Sequence, residues 1–247
     1  MTMMLRKGCY AARFAESDAD VTAAQALRHL CFVTLAGRAA LPFGLDRDAY
    51  DAACKHILVE DLRGRLVACF RLLPLRGGAE ISQSYSAQYY DLEGLRDFAG
   101  PIVEMGRFCV HPECPDPDVL RVAWGAMTRF VDATGTELLF GCSSFAGTRA
   151  ETYLDAFGLL HDRHLAPKRW LPRIKAPQVV RFARRVTDRK LALLRMPPLL
   201  RTYLGMGGWV SDHAVVDHDM NTLHVFTGVE IAAIPAARAR ALRAVAG

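Results

Sequence analysis

The stretch from Asp116 to Gly135 constrains the fold more than any other. Pro115-Asp116-Pro117-Asp118 offers an aspartate for a helix N-cap and a proline for the first helical position. Val119, Val122, Ala123, Ala126, Met127, Phe130 and Val131 then recur at i, i+3, i+4, i+7, i+8, i+11 and i+12, and Gly135 ends the run. β-rich runs flank this helix at Val103–Val110 and Glu137–Cys142. Upstream, Ser17–Asp20 supplies cap residues for a first helix, carried by Val21, Ala24, Leu27, Cys31 and Leu35 as far as Gly37. Runs at His56–Glu60 and Leu66–Leu73 around Arg63-Gly64-Arg65 read as a hairpin, and Ala79–Tyr85 reads as a third strand. A short helix is expected over Thr148–Phe157, stopped by Gly158. The order helix, strands, helix, strand, helix predicts a mixed α/β layer fold, with a central sheet flanked by helices.

The sequence has 247 residues, 51% hydrophobic and 23% charged, enough for one large domain with an extension. A composition change near Ala176 predicts a first domain over 1–175 and a basic extension over 176–247. No apolar run approaches the length of a membrane span, and the first twenty residues do not resemble a signal peptide, which predicts a cytoplasmic protein. Seven cysteines without regular spacing predict no disulfide framework.

Charge is unevenly distributed. Residues 163–201 carry twelve Lys/Arg against the single acid Asp188, net +11, although the whole chain is only +5. Arg181, Arg184, Arg185, Arg189 and Lys190 lie at its centre. An anionic partner is expected there, either carrier protein or an anionic membrane surface, the alternative being a solvated basic face. Val179–Leu204 mixes leucines with arginines in a pattern suited to a helix in a headgroup interface, or to ordinary packing on the first domain. Few aromatics interleave the basic run, which argues against nucleic acid.

Charged residues inside a strand need a partner or a ligand, which singles out Glu104 and Arg107 within Val103–Val110. Gly106 between them predicts a bulge that turns both side chains toward one cleft. The competing reading is an ion pair to the first helix or to Asp48 and Asp51. Arg28 and Phe32 share a helix face four residues apart. Cys109/His111/Cys114 and the Asp212–Asp219 cluster lack structural zinc spacing, so no metal is expected. His56 and Asp61 have the spacing of glycerolipid acyltransferases but fall on opposite faces of a strand.

Arg28 with Phe32, Asp48 with Asp51, Arg71, and Glu104 with Arg107 and Phe108 resemble in order and spacing the signature of the acyl-homoserine-lactone synthases. The resemblance is closer to the L-ornithine N-acyltransferases. It is carried by Cys54–Val59, Glu104–Val110, Pro197–Leu204 and Gly205–Val210, and spans Leu27 to Val229. It implies an N-acetyltransferase-like fold and transfer of a 3-hydroxyacyl group from acyl carrier protein to L-ornithine, giving lyso-ornithine lipid. No cofactor is implied beyond the phosphopantetheine thioester as co-substrate, and the enzyme is expected to associate peripherally with the inner membrane. The lactone synthases have a tryptophan shortly after the first helix, whereas the first here is Trp124, which disfavours an S-adenosylmethionine substrate. The ornithine group tends to have an acid two residues after a threonine in its tail, where this chain has Thr222-Leu223-His224.

Amide formation from a thioester needs a base, an oxyanion site and a held amine. Glu104 is the expected base, acting directly or through a water, and Glu104→Gln is expected to cut turnover while sparing the fold. Asp48 and Asp51 suit the cationic amino acid, and Arg28, Arg71 or Arg107 its carboxylate. By the resemblance, the acyl arm lies between the strands holding Arg107–Val110 and Glu137–Cys142. Phe108 and Val110 then belong to the substrate site, and Ser143 and Ser144 either line the acyl tunnel, donate to the leaving thiolate, or cap a loop. A non-catalytic membrane-binding protein on the same fold is the reading from another class.

Overall fold

The computed structural model describes residues 5–185 and 188–247. In chain order the elements are β1 (Leu5–Lys7), β2 (Tyr10–Phe14), α1 (Asp18–His29), β3 (Lys55–Asp61), β4 (Leu66–Leu75), β5 (Tyr90–Asp91), β6 (Ile102–Val110), α2 (Pro117–Thr134) and β7 (Leu138–Ala146). There follow α3 (Leu154–Arg163), β8 (Arg173–Ile174), β9 (Val179–Arg181), α4 (Arg189–Arg195), α5 (Pro198–Gly205), β10 (Trp209–Val210), β11 (His213–Asp217), β12 (Thr222–Glu230) and α6 (Ala236–Ala246). The architecture is mixed α/β, with helices on largely antiparallel strands. Among the described residues no helix is long and apolar enough to cross a membrane.

The chain forms two compact units. The first comprises Met1–Pro74, Met105–Thr136 and Ala236–Gly247. Here β1, β2, β3 and β4 pair antiparallel in sequence order, and α2 packs on β1, β2 and β3. As expected from sequence, Asp116 caps α2 by accepting from the Asp118 backbone N–H, Pro117 opens it, and Gly135 closes it with φ +62°. Ser17 caps α1 in the same way, accepting from Asp20 N–H. Immediately after α1 the chain widens into a π-helical turn over Leu30–Thr34, which carries Phe32 against a core of Ala24, Leu27, Leu58, Cys69 and Cys109. The hairpin between β3 and β4 turns at Gly64, whose φ of +75° only glycine adopts without strain.

The second unit comprises Leu75–Glu104 and Glu137–Pro235. The first three residues of β6 pair parallel with β7, ending at Glu104↔Phe140, whereas β7 pairs antiparallel with β12 over nine residues. Beyond β12 come β11 and β9, both antiparallel, and β10 pairs with the end of β12. Residues on both sides of the 175/176 position lie in this unit. The nine-residue ladder between β7 and β12 holds the tail to the strand that precedes it.

Three sequence expectations are corrected. Ala79–Tyr85 is not a strand but 3-10 turns at Gly78–Gln83 and Ser86–Gln88, because a buried carboxylate takes the N–H groups of Tyr85 and Ser86 that a ladder would need. Gly158 does not stop the helix near 157; it lies buried within α3, which runs to Arg163. Val179–Leu204 is not one interfacial helix but β9, α4 and α5, since Pro197-Pro198 starts a new helix after α4 ends.

Candidate active site

Within the first unit, three guanidiniums and three carboxylates close into one cluster. Arg28, at the end of α1, is 1% exposed. Its Nε donates to Asp46 Oδ2 at 3.1 Å, and its two terminal nitrogens donate to the Asp51 oxygens at 2.7 and 3.2 Å. Arg71, on β4, forks onto Asp48 at 2.5 and 2.6 Å and reaches Asp51 Oδ1 at 2.6 Å. Arg107, on β6, lies 3.2 Å from both Asp46 Oδ2 and Asp48 Oδ2. Gln25 Nε2 donates to Asp51 Oδ2 at 2.9 Å, and the Tyr50 ring lies beside the Arg71 guanidinium. Burial acts to raise the Asp51 carboxyl, but Arg28 and Arg71 outweigh it and hold it well below the usual carboxylate range. Asp48 is lowered in the same way against its burial, by Arg71 and then Arg107. Asp48 and Asp51 are therefore held ionised by the arginines around them. Its most solvent-reachable members are Asp48 and Arg107, at 21% and 13% side-chain exposure.

The break in strand geometry expected at Gly106 falls one residue later. Arg107 itself has φ +54°, a left-handed conformation that costs a non-glycine residue about 1–2 kcal/mol. The ion pairs to Asp46 and Asp48 offset that cost and aim the guanidinium into the cluster.

Glu104 lies in the second unit and is 4% exposed. Its Oε2 accepts the Tyr85 backbone N–H at 2.7 Å, and Oε1 accepts the Ser86 N–H at 2.7 Å and the Ser86 hydroxyl at 2.5 Å. The Ser86 hydroxyl also lies 3.4 Å from Cys142 Sγ on β7. Ser143 and Ser144 fall within β7 rather than after it. Ser143 is buried and its hydroxyl accepts from Thr227, whereas Ser144 is exposed. Phe108 packs on Phe70 with the rings tilted by 32° and their centroids 5.7 Å apart, and the Val110 carbonyl accepts from the Cys31 thiol, both within the first unit. Of the basic residues, Arg181 lies on β9 and Arg189 and Lys190 open α4; all five, with Arg184 and Arg185, are exposed.

Sequence reasoning missed Asp46, Gln25, Tyr85, Ser86 and Cys142. Asp46 was within reach, because three arginines in a buried network call for a third acid and it stands two residues before Asp48. Ser86 lay hidden just beyond a run with strand composition.

A second polar group in the second unit centres on β12. Tyr90 donates to the His224 carbonyl at 2.8 Å, and the His213 and His224 rings both pack on Tyr90. Burial, assisted by His213, pushes the His224 imidazole down from its ordinary 6.5 to about 4. Between those values the unfolded chain binds a proton that the folded chain refuses, so stability is complete above pH 6.5 and falls as pH drops toward 4. The loss assigned to this group is on the order of 3 kcal/mol. Urea unfolding at a series of pH values should show His224→Gln losing less stability than the wild-type chain across this window; parallel curves would contradict the assignment.

These sites sit on a fold shared with acyl-transferring enzymes, and comparison with known proteins bears this out. The acetyltransferase (GNAT) domain family matches residues 27–125. Among solved structures, FeeM, an N-acyl amino acid synthase from uncultured soil microbes, aligns over 92% of this chain and 94% of its own with a TM-score of 0.50 at 9% identity, a likeness of fold. The chain thus has a fold of the N-acetyltransferase-like class. The L-ornithine N(alpha)-acyltransferase of Rhodobacter capsulatus is 35% identical over 87% of this chain and 88% of its own length. The Agrobacterium fabrum protein of the same name is 30% identical over 93% and 83%. The chain belongs to the L-ornithine N(alpha)-acyltransferase family.

Proposed function

We propose that the protein transfers a 3-hydroxy fatty acyl group from the phosphopantetheine thioester of acyl carrier protein to the α-amine of L-ornithine, giving lyso-ornithine lipid. The observation that carries this reading is the near full-length similarity to the Rhodobacter capsulatus enzyme. In the reaction the neutral amine attacks the thioester carbonyl, a C–N bond forms, the C–S bond breaks and the carrier leaves as the thiolate, while the nitrogen gives up one proton. Glu104 receives that proton, directly, through a water, or by way of the Ser86 hydroxyl that donates to it. Ornithine recognition falls to the Arg–Asp cluster. Asp48 meets the side-chain ammonium and Arg107 the α-carboxylate, because these two keep solvent exposure. Arg28, Arg71 and Asp51 hold that pair in place. Phe32, Phe108 and Val110 contribute apolar surface toward the acyl group, and Ser143 and Ser144 polar contacts to the thioester arm. The basic stretch of 176–247 meets the anionic carrier protein or the membrane that takes up the product.

Mass spectrometry of the product from purified protein with 3-hydroxyacyl carrier protein and ornithine should show N-acyl-ornithine. Substituting S-adenosylmethionine as acceptor should give no lactone. A lactone as the main product, or no acyl-ornithine, would overturn the reading.

A further inference from the structure

Helix α4 is held by one face and leaves the other open. Asp188 accepts from the Leu191 N–H at its start, and Ala192 and Met196 are buried in the core that includes Phe157, Phe182 and Leu200. On the outer side Leu193 and Leu194 are 41% and 76% exposed. Consecutive exposed leucines are unusual on a folded surface, where apolar side chains are normally scattered singly. Arg189 and Lys190, both exposed, stand four residues before Leu193 and Leu194, so each leucine shares a helix face with a cationic side chain one turn away. After the capping Asp188 no acid occurs before Asp212. At the start of the helix Asp155 of α3 accepts from the Asp188 backbone N–H and pairs with Arg185, so the cationic side chains of the outer face are Arg189 and Lys190.

We propose that the outer face of α4 docks on an anionic lipid bilayer, with Arg189 and Lys190 on headgroup phosphates and Leu193 and Leu194 in the headgroup–acyl boundary. Charge complementarity selects an anionic partner, and the leucines select lipid, because a bilayer covers them without requiring a matching protein pocket. On the function proposed above, such docking would also deliver a single-chain amphiphile where it partitions. The docking itself does not depend on that reading, and it is measured without acyl donor or ornithine.

The test is sedimentation of the full chain with phosphatidylcholine vesicles, with and without one quarter phosphatidylglycerol, at 50 and 300 mM NaCl. The wild-type chain should partition onto the phosphatidylglycerol vesicles and remain largely in the supernatant with phosphatidylcholine alone. Leu193→Ser/Leu194→Ser should weaken partitioning about tenfold or more at both salt concentrations, since the apolar contribution is not screened. Arg189→Gln/Lys190→Gln should weaken it about fivefold per charge at 50 mM and much less at 300 mM. These side chains point outward, so an unchanged circular dichroism spectrum would accompany either variant. Absence of wild-type binding to phosphatidylglycerol vesicles would overturn the proposal. So would a leucine variant that keeps full vesicle binding, including one that loses affinity for acyl carrier protein instead. Formation of N-acyl-ornithine in vesicle-free solution reports separately on the proposed reaction.

Discussion

Replacing Arg28 with methionine is expected to destabilise the protein by about 3–5 kcal/mol, the largest effect on stability of any change considered. Methionine has a similar reach and suits an apolar wall, so lost packing contributes little. What remains is the problem of Asp46 and Asp51. Both are buried carboxylates, at 8% and 9% side-chain exposure, and Arg28 supplies donors to each. Removing one partner from such a network leaves charge in a medium that solvates it poorly, which costs more than the pair contributed when intact. Arg28→Lys should restore part of the loss, because it returns the charge but cannot reproduce the fork onto Asp51 together with the Nε bond to Asp46. Urea unfolding with an unchanged slope checks both variants. A loss below about 1 kcal/mol for Arg28→Met would show that the cluster is not the buried scaffold its geometry describes.

Glu104→Gln is expected to lower turnover by about 10²–10⁴-fold if the carboxylate receives the amine proton. The same change should also cost about 1–3 kcal/mol of stability, against the sequence-based expectation that the fold would be spared. Both oxygens of Glu104 accept backbone N–H groups, Oε2 from Tyr85 and Oε1 from Ser86. A carboxamide has one acceptor oxygen, so either orientation sets its NH₂ against a backbone donor. The two effects separate experimentally. If Glu104 only anchors the Tyr85–Ser86 turn, the rate per folded molecule stays within about threefold of wild type and the pH profile keeps its acid limb. A base role predicts loss of that limb in folded variant protein. Ser86→Ala should fall between, because it removes the hydroxyl donor but leaves the carboxylate and the Tyr85 and Ser86 N–H groups.

Much of this was legible from sequence where a single local cause decided the outcome. The α2 stripe with its Asp116 cap and Gly135 end needed no tertiary information, and neither did the turn at Gly64. Arg107 stands out in the sequence as a charge inside a strand, whereas Arg28, Asp48, Asp51 and Arg71 are singled out by their resemblance in order and spacing to the acyl-homoserine-lactone synthases; the structure brings all five together. What was not legible depended on distant partners. Ala79–Tyr85 has a plausible strand composition, but the conformation near its end is set by Glu104, at least eighteen residues away. Gly158 is a reasonable helix stop in isolation, yet its place inside α3 is decided by burial against the neighbouring core. Periodicity could assign Glu104 and Arg107 to a strand. It could not assign the left-handed residue to Arg107 instead of Gly106, because ion pairs contributed by the segment around residues 46–48 determine that choice.

The position of α6 has a consequence for how the first unit assembles. This helix packs on α2, where Arg243 pairs with Asp132 at 2.8 Å and Arg129 donates to the Ala246 carbonyl at 2.6 Å. Those partners are 111 and 117 residues apart. The unit that holds the Arg–Asp cluster is therefore discontinuous along the chain, and its final layer docks only after a loop of more than a hundred residues has closed. Loop entropy rises slowly with length, so the cost of that closure to stability is modest, but the search for a distant contact slows folding. Once residues 137–235 are compact, the ends they separate no longer explore the volume of an open coil. The inserted segment then acts as a tether, bringing α6 to α2 on a timescale its own sequence separation would not give.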